Sequence, residues 1–188
     1  QEFTKNRDAF IFSAYFQRAP GRRMSAGPPW DFNLAMGNSE EFTGVEGLIV
    51  PGRDLAGNLL RRPEIFRRFQ ERWRELRAPG GAFSEERVLA LVDEVVAESG
   101  LAAERQFGRY SELRSPTKRF VMNVNYGVDT YEENVRIVRD YLVKRGRWLD
   151  GALGAMETPD DLFSEEMARV LEESEALGIG WWREEESP

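Results

Sequence analysis

Apolar positions change their period about a third of the way along the chain. Residues 10–18, "FIFSAYFQR", crowd aromatics into a short stretch, and "RRMSA" follows after Pro20-Gly21. That spacing predicts two short strands joined by a turn. Next comes "GPPWDFNLAMGN" (27–38), then a glycine-punctuated loop expected to run through about Gly57. From there the period lengthens to that of a helix. Pro63 stands where a first-turn proline belongs. Ile65, Phe66, Phe69, Trp73 and Leu76 recur at helical spacing, and Pro79-Gly80-Gly81 ends the run.

Ser84 is suited to cap a second helix, with Glu85 and Glu86 favourable against its dipole. Val88, Leu91, Val92, Val95 and Val96 form its apolar face, and it is expected to continue to Phe107 with Gly100 as a weak point. Residues 111–129 read as a loop with a short strand at "RFVMNV". Thr130 and Glu133 make a capping box for a helix ending near Asp150, with Tyr131, Val135, Val138, Leu142 and Leu149 on one face. A last helix is expected near 164–177, ahead of "GIGWWREEESP". The fold class is therefore α+β: a short β-hairpin and irregular amino-terminal part, followed by a mainly helical carboxyl-terminal part.

Composition narrows the chemistry. The chain has 188 residues, 41% hydrophobic and 31% charged, which suits one soluble domain with a real core. No run of about 18 apolar residues exists to cross a membrane, and no signal peptide pattern is visible. A net charge of −7 argues against general nucleic-acid binding. The charge is uneven: arginines gather between Arg53 and Arg77, and the tail from Glu157 onward is acidic. Such asymmetry fits solvated faces, a partner surface, or an acidic tail folding back on a basic helix. The Trp181-Trp182 pair suits an interface anchor or a terminal cover for the core. With no cysteine and no histidine, the chain excludes disulfides, Cys/His zinc sites, cysteine nucleophiles and Ser-His-Asp triads. Proton transfer would fall to Asp, Glu, Lys or Tyr. A metal site would use oxygen ligands, favouring Mg²⁺, Mn²⁺ or Ca²⁺.

Asp31-x-Asn33 is the sharpest local feature. A carboxylate stands between Trp30 and Phe32 just after Gly27-Pro28-Pro29, and an acid buried there without a partner would be costly. An EF-hand does not fit, because Ala35, Met36 and Phe42 fall where ligands and a glycine are needed. No phosphate-binding glycine loop is present. One carboxylate and one amide two residues apart share a face of an extended segment. The plain reading is a turn acid beside core aromatics. Asp8, in "EFTKNRDAF", is the second candidate, with a turn or capping aspartate as its plain reading.

Taken together, "EFTKNRDAF" (2–10), "GPPWDFNLAMGN" (27–38), "NLLRRPEIFRRFQERWRELR" (58–77), "FSEERVLALVDEVVAESGLAAERQFGRY" (83–110) and "TYEENVRIVRDYLVKRGRWLD" (130–150) resemble the CotH (spore coat protein H) kinase family. The resemblance covers about residues 1–153. It implies the carboxyl-terminal portion of an atypical protein kinase domain, with 154–188 a helical acidic extension. The implied reaction moves the γ-phosphate of ATP to a Ser or Thr hydroxyl, with Mg²⁺ or Mn²⁺, on a coat or extracellular protein. Asp31 and Asn33 are the implied metal ligands; Asp8 is the implied catalytic residue, accepting or orienting the substrate hydroxyl or supporting the metal; and Asn38 is an auxiliary at the cofactor or an anchor for the loop. The implied setting is extracellular or spore-associated. Asn33 departs from the family pattern, which has a second Asp there; an amide oxygen still ligates a hard cation but brings no charge. The nucleotide-anchoring lysine of the amino-terminal lobe is also absent, so that lobe, or a second chain, is expected to complete the site. Two alternatives stand beside the kinase: a non-catalytic module of a coat or extracellular assembly, and a helical domain whose arginine face docks an acidic partner.

Overall fold

The computed structural model describes residues 1–10, 12, 14–39, 44–110 and 130–163. The expected strand at 119–124, the last helix at 164–177 and the Trp181-Trp182 pair lie outside the described residues.

Two strands, β1 (Phe16–Gln17) and β2 (Ser25–Ala26), pair antiparallel, Phe16 opposite Ala26 and Gln17 opposite Ser25. The hairpin is where the aromatic run predicts it, but much shorter. Residues before it turn instead of extending: the Ala9 N–H donates to the Asn6 carbonyl (3.0 Å) and the Phe12 N–H to the Asp8 carbonyl (3.2 Å). Both strands are exposed, so their aromatics do not serve as core.

A single 3₁₀ turn (Val50–Gly52) leads into α1 (Asp54–Leu60). The sequence reading places this stretch in the loop, because Gly57 looks like a breaker. Its real reason is close approach: a Cβ at Gly57 would meet the Pro51 carbonyl oxygen at 2.5 Å. α2 (Pro63–Arg77) has the predicted bounds, with proline in its first turn. α3 (Glu85–Arg109) is capped by the Ser84 hydroxyl, which accepts from the Arg87 N–H at 3.3 Å, and it passes through Gly100 unbroken. α4 (Tyr131–Ala155) starts on the Thr130 cap (Glu133 N–H to Oγ1, 3.1 Å) and runs past Asp150 to Ala155.

The core lies between α2, α4, the 48–50 segment and the start of the chain: Phe3, Ala9, Ile49, Phe66, Trp73, Leu149, Leu153, Leu162 and Phe163. Phe3 stacks on Phe83 (5.0 Å between centroids) and tilts against Trp73 (5.7 Å). Polar seams join the helices. Arg77 forks onto Asp150 (2.7 Å), which also accepts from the Trp73 indole at 3.0 Å. Gly146 leaves room for that guanidinium, since a Cβ there would sit 3.0 Å from it. The Gln70 amide donates to the Leu153 and Met156 carbonyls (2.8 and 2.9 Å) at the end of α4. Arg147 reaches Glu85 at 2.8 Å, and Arg139 reaches Asp93, tying α3 to α4. The predicted face of α3 is only partly covered: Leu91 and Val95 remain exposed, and Phe107 is its buried residue.

After α4 the chain turns back. The Asp161 carboxylate accepts from the Thr158 and Glu157 N–H groups (2.8 and 2.9 Å), capping a helical turn at 159–163. These N–H donors, Thr158 first, hold Asp161 below the usual carboxylate range. A helix therefore starts here earlier than the predicted position 164.

Candidate functional site

The candidate residues sit on two irregular segments, 1–10 and 31–38, that lie side by side. The Arg7 N–H donates to the Leu34 carbonyl (3.0 Å) and the Met36 N–H to the Thr4 carbonyl (2.7 Å). Asn6 joins them through its side chain. It is fully buried. Its Oδ1 accepts from the Asp8 N–H at 3.3 Å, and its Nδ2 donates to the Asp31 carbonyl at 3.3 Å and to the Gln1 side-chain oxygen at 3.0 Å. One amide thus holds the backbones of both candidate acids.

Around Asp8 the backbone is pinned further. Arg53, the residue before α1, donates to the Arg7 carbonyl at 2.5 Å. The Asp8 carboxylate is half-buried and lies 3.5 Å from the Arg7 guanidinium. Asp31 answers the question its neighbours raise: it is exposed, not buried without a partner. Trp30 is 57% exposed and meets Tyr15 edge-on at 6.2 Å, so neither is core. Asn33 is exposed as well. The Asn38 side chain donates to the Asn33 carbonyl at 2.7 Å and so closes the loop that presents Asn33.

Backbone strain gathers on these segments. Lys5, Phe10, Asp31 and Met36 are the non-glycine residues at positive φ among those described, at 50°, 63°, 54° and 55°. Asp tolerates this region; bulky Phe and Met do not, and each such residue costs about 1–3 kcal/mol. Strain of this kind persists only where surrounding bonds over-determine the conformation, and the bonds of Asn6, Arg53 and Lys5 supply that here. The Lys5 ammonium is buried and donates to the Gly44 carbonyl (3.2 Å) and the Glu46 carbonyl. It serves the loop's carbonyls.

Behind the segments lies a buried ion pair. Arg145 of α4 is 0% exposed. It donates to the Glu2 carboxylate (2.6 Å), the Glu2 carbonyl (3.1 Å) and the Val45 and Gly47 carbonyls (2.5 and 2.7 Å). The Glu2 carboxylate also accepts from the Ile49 and Val50 N–H groups (3.1 and 2.8 Å). Burial lowers the Arg145 pKa, and the Glu2 charge opposes that. The sequence reading misses Glu2, Asn6, Arg53 and Arg145. Arg145 alone leaves a trace, an arginine in the apolar register of Leu142 and Leu149.

Asp31 and Asn33, both exposed, offer one carboxylate and one amide oxygen, and among the described contacts and cavities none joins their side chains to that of Asp8. No cluster of three or more acidic side chains able to hold a metal by itself exists among the described residues. Among the described residues no helix is long and apolar enough to cross a membrane.

A family model described as CotH kinase protein matches residues 1–149. No curated protein and no solved structure matches the chain.

Proposed function

The chain belongs to the CotH kinase family, and on that premise we propose that it is the carboxyl-terminal portion of a kinase domain that phosphorylates Ser or Thr hydroxyls of a coat or extracellular protein. ATP is the donor, with Mg²⁺ or Mn²⁺, and the setting is spore-associated or extracellular. Phosphoryl transfer asks the protein mainly for positioning and charge neutralisation. Asp31, with the Asn33 amide oxygen, would hold the cation, which supplies neutralisation of the phosphate charge. Asp8 orients the substrate hydroxyl and accepts its proton. Asn38 supports the site by fixing the loop that carries Asn33. The observation that carries this reading is Asn6: a single buried amide binds the backbones of Asp8 and Asp31 and holds their segments in one register. Residues 154–188 are read as an acidic extension to the catalytic portion.

The test is calorimetric titration of ATP with Mg²⁺ or Mn²⁺ into the protein as its gene encodes it. Metal-dependent binding that Asp31→Asn abolishes, with phosphorylation lost in Asp8→Asn, is the expected result. Binding that survives Asp31→Asn unchanged removes the assignment. The second reading, a non-catalytic module, is favoured by Asn33, which brings no charge to a cation. If Asn33→Asp creates ATP affinity where the natural chain has none, that reading prevails.

A further inference from the structure

We propose that the hairpin of β1 and β2 is a docking surface for a peptide whose Ser or Thr is flanked by acidic residues; that this peptide is the substrate rests on the kinase reading. Between Asp8 and Asp31 the chain carries Arg18, Arg22 and Arg23 and no Asp, Glu or Lys, although its net charge is −7. All three arginines are exposed, and among the described residues none of them pairs with a carboxylate. The turn gathers them. The Arg18 Nε donates to the Arg22 carbonyl at 3.2 Å, and the Arg22 N–H to the Ala19 carbonyl at 3.0 Å. Phe16 on β1 and Met24 just before β2 are exposed as well. Arginine, methionine and aromatic rings, with lysine and acids left out, make the composition of a protein interface and not of a solvated face.

The position of the hairpin selects its partner. The Gly27 N–H donates to the Tyr15 carbonyl at 2.8 Å and closes the base, where Trp30 meets Tyr15 edge-on. From that base the chain leads back to Asp8 on one side and on to Asp31 on the other, and Asn6 holds the backbones of both. A peptide lying on the hairpin therefore runs toward the acid proposed to handle the hydroxyl. Arg18 and Arg23 stand three and four residues beyond the base, about 10–13 Å along a strand, so the acids of the peptide belong at a similar distance from its hydroxyl. Among the described residues the sheet has only these two strands, and its edges offer backbone groups to an extended chain. Anionic lipid headgroups would match the arginines but make no use of those edges.

The test follows, without nucleotide, the fluorescence anisotropy of dye-labelled peptides titrated with the protein as its gene encodes it. The peptides carry one serine flanked by glutamates, by glutamines or by lysines. The glutamate peptide is expected to bind at least about tenfold more tightly than the glutamine peptide, and added salt should close the gap. Arg18→Glu, Arg22→Glu and Arg23→Glu together should move the preference to the lysine peptide. If circular dichroism shows that variant unfolded, Arg18→Gln, Arg22→Gln and Arg23→Gln take its place and should bind the glutamate and glutamine peptides alike. Equal binding of those two peptides by the unchanged protein overturns the proposal, as does a glutamate preference that survives the reversal. Vesicles of phosphatidylcholine and phosphatidylglycerol that bind through the same arginines, where the glutamate peptide does not, overturn it in favour of a membrane surface. A glutamate peptide that docks through the arginines but receives no phosphate from ATP and Mg²⁺ upholds the surface and removes the kinase reading. Phosphate transfer that ignores the flanking residues does the opposite.

Discussion

The amino-terminal segment up to residue 53 and the helical body of residues 54–110 and 130–163 are held in different ways. The body is packed: Phe66, Trp73, Leu149 and Leu153 are buried, and its helices keep ordinary backbone angles. The first segment is tied: Glu2, Lys5 and Asn6 are buried polar side chains that hold backbone groups, and strained residues persist among them. Packing tolerates sliding and repacking, whereas hydrogen bonds to backbone fix a loop within tenths of an ångström. The roles proposed for Asp8 and Asp31 call for the second kind of support. The helical body serves as the platform, and Arg145 joins the tied segment to it through polar bonds, beside the ring contacts of Phe3 with Trp73 and Phe83.

The largest expected effect lies at that meeting point. Arg145→Met leaves the Glu2 carboxylate buried without its cation and should cost about 3–5 kcal/mol in denaturant unfolding. Adding Glu2→Gln should recover part of the loss. A single-variant loss below about 1 kcal/mol would show that the two regions are not coupled through this pair. Leu149→Ala, in the packed body, should cost about 2–5 kcal/mol, with metal–nucleotide affinity per folded molecule unchanged by calorimetry. Asn6→Ala should do the reverse. It leaves the Asp8 N–H and Asp31 carbonyl unpaired, about 1–3 kcal/mol of stability, and its larger signature is a loss of metal–nucleotide affinity beyond what unfolding explains. Equal affinity losses in Asn6→Ala and Leu149→Ala would erase the distinction between the regions.

The smallest effect concerns the turn after α4. The Asp161 pKa is depressed in the folded chain, so its contribution is present above the ordinary carboxylate pKa, about 4. That contribution is lost as pH falls through the lower folded value. Thermal midpoints measured from neutral to strongly acid pH should fall less steeply in Asp161→Asn than in the unchanged chain.

Much of the body is legible in the sequence because a helix is a local object. Proline at 63, the Ser84 and Thr130 caps and the 3.6-residue period of apolar residues set α2, α3 and α4 within a few residues. α1 is not legible, since Gly57 serves a tertiary contact with Pro51 that mimics a helix breaker. The aromatic run at 10–18 overstates the strands, because turns centred on Asn6 and Asp8 take its first residues.

The candidate acids were legible as residue types in a motif, and the absence of histidine and cysteine limited the chemistry to oxygen ligands and to Asp, Glu, Lys or Tyr for proton transfer. What no local pattern carried is that Asn6 would bond to Asp31, or Arg145 to Glu2, across 25 and 143 positions of chain. Amphipathic period and capping are properties of neighbours in sequence, so the sequence determined the helices and the available chemistry. A buried polar bond depends on which distant backbone groups the packed chain leaves unsatisfied, so only the tertiary structure decided that the two acid-bearing segments share one anchor.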